Sequence, residues 1–331
     1  MVFFVLSGYL VGGSVLRQIA ANRWSWNDYI LKRLARLWVV LIPVMFIGLG
    51  LDVIGHTFFA GAGSLYAIPP GQDYVQANTF SARMTFSTLI GNILFLQTIL
   101  VPTAGTNIPL WSLAYEFWYY MAFPLIAISC NGRSSKKKSL VYLLAALGIL
   151  IFIGSHAAYL FLIWFFGAIV AILPNIILKN NFRKITLGTG MFFVIQFLLM
   201  KFLDVNIFIA EINIGTIFSI FLYVLQSNNI ENKFNLYTNI SQYISRISYT
   251  LYVSHVPILI FLANLINYPW RLHPMTVPGF LKYSAIIVCS VIWATLLHWL
   301  FESRTDKIRR LVRRVIDNGT HKQVNQRHKR P

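Results

Sequence analysis

Long apolar runs separated by short polar or basic segments recur along the whole chain, at residues 1–16, 37–53, 86–101, 110–129, 140–154, 157–173, 185–203, 207–225, 247–266 and 283–301. Most approach the roughly 20 apolar residues that a bilayer-crossing helix needs, and all exceed the ~10 alternating residues of a membrane β-strand. In lipid the backbone must satisfy its hydrogen bonds within the segment, so the pattern predicts an all-α integral membrane protein, a multi-span helical bundle. Composition agrees. The 331 residues are 57% hydrophobic and 11% charged, against about a quarter charged in soluble domains.

Charge placement orders the spans. Arg17, Arg23, Lys32, Arg33 and Arg36 face a single acid, Asp28, in one loop, whereas loop 54–85, rich in Gly, Pro and Ser, has one basic residue, Arg83. The excess of Lys and Arg belongs on the cytoplasmic side. If 86–101, which contains Asn92 and Gln97 and ends at Pro102, is re-entrant or interfacial, every later basic loop falls inside. Nine spans then remain. Residues 204–206 form a tight outer turn, 267–281 an external Pro-rich loop, and Lys201 is expected to pair with Glu211. The tail 302–331 holds ten Lys or Arg against three acids and reads as a basic cytoplasmic segment that touches anionic headgroups. The net charge of +18 is thus a topology signal, and nucleic-acid binding is excluded as its explanation.

Residues 1–16 lack a basic leader and a small-residue cleavage site, so they read as a span and not as a signal peptide. Cys130 and Cys289 fall at different predicted depths, which argues against a disulfide. His56, His156, His273 and His298 show no metal-ligand spacing with carboxylates or cysteines.

Within LWSLAYEFWYYMAFP, 110–124, Glu116 is the only formal charge between Arg83 and Arg133. An ionisable group inside a span marks a functional site by default. Ser112 lies four residues before it, and Tyr119 and Tyr120 one turn after, which places a hydroxyl, a carboxylate and a phenol on one side of a helix. A packing ion pair with a neighbouring helix is the other reading of Glu116. RISYTLYVSHVP sets Ser248, Tyr252 and His255 at i, i+4 and i+7, a polar stripe on an apolar helix. Arg33 and Arg36 could clamp phosphates bidentately or only set topology.

At these residues the chain resembles the membrane-bound acyltransferase-3 family, the bacterial surface-glycan O-acyltransferases. FFVLSGYL at 3–10, with Ser7, resembles the family's second-span signature, and RLAR at 33–36 its Arg-x-x-Arg loop. LWSLAYEFWYYMAFP, with Trp111, Ser112, Glu116 and Tyr120, resembles its Trp-Ser-Leu-x-x-Glu segment, although Phe117 and Trp118 stand where a second acid and a Gln are usual. ISYTLYVSHVP, with Ser248, Tyr249, Tyr252, His255 and Pro257, resembles its Ser-Tyr-x-Leu-Tyr-x-x-His-x-Pro helix, and Phe301-Glu302 the acid that closes its last span.

The resemblance implies acyl transfer, with acetyl-CoA or another acyl-CoA as donor substrate and no permanently bound cofactor. Arg33 and Arg36 would take the donor's phosphates. The acceptor would be a hydroxyl of a cell-surface or exported carbohydrate, such as a lipopolysaccharide sugar, and the place the bacterial inner membrane. Glu116, Tyr120 and His255 are the expected catalytic residues, with Ser7, Trp111, Ser112, Ser248, Tyr249 and Tyr252 lining a substrate or structural site. The family also has a first span carrying a basic residue and its principal catalytic His, for which this sequence has no counterpart. The expectation is therefore an N-terminally truncated transmembrane domain at 1–301, ten spans in the full-length form, followed by the tail 302–331. A transporter or flippase, or a non-catalytic scaffold for polysaccharide assembly, are the alternatives. The absence of Gly- or Pro-interrupted helices in symmetry-related halves weighs against transport.

Overall fold

The computed structural model describes residues 1–59, 66, 82–176, 181–203, 205–227, 235–266 and 276–315, except for the side chains of 201 and 235–237. Most of the loops expected at 54–85 and 267–281, Asp204, His273, the Lys201 pairing and the tail beyond 315 lie outside the described residues. All regular structure among the described residues is helical. In order the helices are α1 Val2–Ala20, α2 Trp26–Phe59, α3 Phe86–Ile93, α4 Leu110–Cys130, α5 Lys136–Phe152, α6 Ser155–Val170, α7 Phe182–Phe202, α8 Ile207–Gln226, α9 Asn235–Ile266 and α10 Val277–Leu300. A 3-10 turn at Glu302–Arg304 leads into α11, residues 305–315.

Six helices among the described residues, α1, α2, α7, α8, α9 and α10, are long and apolar enough to cross a membrane. The protein is thus a multi-pass helical membrane protein. The nine-span pattern counts three more. Of these, α5 and α6 have 17 and 16 residues, short of the usual ~20, and α4 is diluted by Ser, Glu, Pro and five aromatic residues with polar tips. The run 86–101 is helical only to Ile93 and then turns through irregular backbone.

The chain divides into two compact units, Met1–Trp24 with Tyr115–Lys233, and Ser25–Ala114 with Phe234–Pro331. In the first, α1 packs along α6, and α8 packs on α6 and α7. Small residues make the α1–α6 approach possible. A Cβ on Gly8 would sit 1.8 Å from the Trp164 carbonyl oxygen, and one on Gly167 would sit 1.9 Å from that of Val5. Such backbone approach through small residues replaces the hydrophobic drive that lipid cannot supply. A π-helical turn at Gly8–Gly12 follows Ser7.

In the second unit α9 packs between α2 and α10. Pro257 interrupts α9, and its ring lies where a Cβ on Gly48 of α2 would come within 3.1 Å. The irregular stretch 94–109 is held by backbone turns, among them Thr98 N–H to Val101 O and Gly105 N–H to Arg83 O, and by buried side chains. Asn92 donates to the carbonyls of Thr88 and Pro102 and accepts from Ala104 N–H, and Gln97 donates to Leu110 O. Asp52 accepts from both the backbone N–H and the hydroxyl of Thr106, at 2.8 and 2.7 Å. Irregular backbone inside an apolar bundle is tolerated only when protein groups satisfy it in this way. Phe95 and Thr98 take left-handed φ values of 59° and 62°, which non-glycine residues seldom adopt.

Candidate functional site

In the first unit Glu116 is only 6% exposed and accepts a hydrogen bond from the Tyr120 hydroxyl one turn later on α4. The Ser7 and Tyr120 oxygens are 3.2 Å apart, and Trp164 Nε1 donates to Ser7 Oγ at 3.1 Å. A phenol has one proton. Since Tyr120 gives its proton to Glu116, Ser7 must donate to Tyr120. The chain therefore runs one way, from Trp164 through Ser7 and Tyr120 to the carboxylate. The Gly8 and Gly167 contacts bring Ser7 against Trp164. Tyr119 does not share this face, because its hydroxyl donates to Ala157 O at 2.6 Å and its ring packs on Phe4 and Phe161.

Ser112 belongs to the second unit, where its hydroxyl meets that of Tyr252 at 2.6 Å. Tyr252 donates to Pro109 O. By the same count Ser112 is the donor to Tyr252, and the phenol tethers α9 to the start of α4. Trp111 is half-buried beside it. His255 Nδ1 lies 2.7 Å from the Tyr252 backbone carbonyl. A carbonyl only accepts, so Nδ1 carries a proton, and the tautomer with a free lone pair is the one that has it on Nε2. No hydrogen-bond partner for Nε2 occurs among the described residues.

Pro257 shapes this turn. The Val253 carbonyl has a proline at i+4, so the helical hydrogen bond it would accept cannot form. Asn107 Nδ2 fills the place at 2.7 Å. Tyr249 is buried and donates to Leu37 O at 3.1 Å. Ser248 departs from the expected stripe: it is exposed, and its hydroxyl turns back to Ser245 O. Its neighbours Ile247, Tyr249 and Thr250 are buried, so Ser248 faces away from the packed side of α9.

Arg33 and Arg36 also separate. Arg33 is buried, with its guanidinium 5.2 Å over the Tyr29 ring, whereas Arg36 is exposed. Lys32 stands within electrostatic range of Arg33, of Arg36 and of Arg309 on α11.

Several paired groups were missed in the sequence. Glu302 accepts from Thr250 and stands 3.1 Å from His298 Nδ1. His156 Nε2 is 3.4 Å from Glu211. Two of the histidines read as unclustered therefore do meet carboxylates, although no group of three metal-ligating side chains occurs among the described residues. The i, i+4 spacing of His298 and Glu302 was a visible signal. The others join distant parts of the chain.

Fold and site define a polytopic membrane protein with hydrogen-bonded polar centres set into apolar helices. The chain belongs to the acyltransferase-3 family, whose acyltransferase-domain model matches residues 1–299. It is also similar to an uncharacterised protein of Haemophilus influenzae, 27% identical over 142 residues, which are 42% of this chain and 52% of that protein. The chain thus spans about half the length of this curated relative. No solved structure matches.

Proposed function

We propose that this chain transfers an acyl group, acetyl from acetyl-CoA, to a hydroxyl of a surface or exported carbohydrate in the bacterial inner membrane. Family membership supports acyl transfer in general. The tautomer of His255 is the observation that carries the reading to a residue.

Acyl transfer needs a base for the acceptor hydroxyl. With Nδ1–H held by the Tyr252 carbonyl, His255 presents Nε2 as that base. The hydroxyl proton passes to Nε2 while its oxygen attacks the thioester carbonyl. The tetrahedral oxyanion then collapses, the C–S bond breaks, and the imidazolium returns the proton to the departing thiolate. Tyr120 and Tyr252 direct their own protons to Glu116 and Pro109 O, so we assign both to positioning and not to oxyanion donation.

Donor binding at Arg33 and Arg36 is compatible in scale. Tyr249 bonds Leu37, Arg33 lies four residues before Leu37 and His255 six after Tyr249. At 1.5 Å per residue the two are separated by roughly 15 Å along the helix axes, a distance that an extended pantetheine arm can cover.

The test is mass spectrometry of surface glycans from a deletion strain complemented with the native gene or with His255→Asn. Loss of an O-acyl mass in the deletion, restored by the native gene alone, supports the proposal. Unchanged acylation overturns it. Loss of the whole polymer points instead to export or assembly.

A further inference from the structure

Helix α11 is largely exposed and carries an apolar stripe. Ile308, Leu311, Val312 and Val315, at i, i+3, i+4 and i+7, are 38%, 51%, 40% and 72% exposed. They form one apolar stripe. Lys307, Arg309, Arg310, Arg313 and Arg314 occupy the rest of the helix with a single acid, Asp306. Arg313 pairs with Asp28 near the start of α2 at 3.3 Å, and Arg309 with Asp306 at 3.1 Å.

The place of α11 decides what can cover that stripe. The 24 residues of α10 extend about 36 Å at 1.5 Å per residue, enough for a bilayer core of about 30 Å. The chain breaks into a 3-10 turn directly after, so α11 begins where a spanning helix leaves the hydrocarbon. By the charge rule this is the cytoplasmic side, where anionic lipid concentrates. A short helix with apolar residues on one face and arginines around it has the composition of a helix that lies in the interface plane.

Next to it runs an apolar groove of about 430 Å³ lined by Trp38, Ile42, Pro43, Phe301 and Ile308, with Arg304 among its lining residues. Lys32 and Arg309 lie in electrostatic reach of one another close by. The groove suits an acyl chain, and the surrounding cations suit a phosphate.

We propose that α11 is an in-plane anchor for anionic phospholipid, with Ile308, Leu311, Val312 and Val315 seated in the headgroup–acyl boundary and Arg304, Arg309, Arg310 and Arg314 holding lipid phosphates. The occupant is the bilayer's own anionic leaflet. The anchor fixes α11 and the Lys32–Arg36 cluster against the membrane surface.

The full chain, with Cys130→Ser and Cys289→Ser, is labelled with a nitroxide at Leu311→Cys or Arg310→Cys and placed in nanodiscs. One set is phosphatidylcholine alone and the other contains about a third phosphatidylglycerol. In the anionic discs the label at 311 should be several-fold more accessible to oxygen than to a water-soluble nickel chelate, and the label at 310 should show the reverse. The contrast should shrink in neutral discs and at high salt. Equal nickel access at 311 and 310 in anionic discs would overturn the proposal. So would protection of 311 by added CoA in neutral discs, which would make α11 part of a donor clamp. The triple change Arg309→Gln, Arg310→Gln, Arg314→Gln keeps the apolar stripe and should abolish the dependence on phosphatidylglycerol; an undiminished dependence is equally fatal.

Discussion

Asn107 donates its side-chain amide to the carbonyl of Val253, 146 positions away and 2.7 Å distant. That carbonyl is the one Pro257 deprives of its helical N–H. An irregular segment thereby supplies what the helix lacks at its proline, and the turn carrying His255 is held from outside its own helix.

Asn107→Ala should leave the buried Val253 oxygen unsatisfied and cost about 1–3 kcal/mol. Adding Pro257→Ala restores a backbone donor, so the double variant should be less destabilised than the sum of the singles. Thermal unfolding of the detergent-purified variants in a double-mutant cycle reads this coupling. Strict additivity would show that the amide bond does not compensate for the proline.

Gly8→Ala and Gly167→Ala place a methyl within 1.9 Å of backbone oxygens. Neither oxygen can swing aside as a flexible side chain does, so α1 and α6 must part. We expect each to cost several kcal/mol, on the scale of overpacking in a tight core. Gly188→Ala, with open space around it, should instead gain up to about 1 kcal/mol from helix propensity. Melting temperatures of the three compared with the parent decide it.

Glu116→Gln and Tyr120→Phe separate shape from charge. The glutamine keeps an oxygen to accept from Tyr120, so its unfolding midpoint should stay near the parent, whereas Tyr120→Phe strips a donor from a buried carboxylate and should cost about 1–3 kcal/mol. If acyl transfer falls in Glu116→Gln while stability holds, the negative charge is what the activity needs.

His255→Asn retains a donor for the Tyr252 carbonyl but has no basic nitrogen. Transfer should drop by about 10²–10⁴, the range for a lost general base, with the fold intact by circular dichroism. Activity within a few-fold of the parent would remove His255 from the catalytic role.

The sequence made the helices readable because each apolar run is itself the physical cause of its helix in lipid. It also made Glu116 and Tyr120 readable, since i, i+4 on one helix is a local relation. Ser7 and Trp164 lie 157 positions apart, and nothing in either neighbourhood announces the other. Asn107 and Asp52 were hidden differently: both look like ordinary polar residues at a loop and a helix end, and their meaning comes from carbonyls and amides that irregular backbone leaves over. Arg33 and Arg36 look equivalent as a motif, yet a rotation of about 60° between i and i+3 is enough to bury one and expose the other. His298 was readable and overlooked, one turn before Glu302.

The direction of the hydrogen bonds through Trp164, Ser7 and Tyr120 limits what Glu116 can do. To pass a proton outward, the tyrosine and serine would have to rotate in concert, and the indole at the far end has no lone pair with which to receive one. The string is closed to conduction from that side. It works as a cradle of aligned donors around the Glu116 carboxyl group among apolar helices, so a proton moved in the proposed transfer would have to travel by another route.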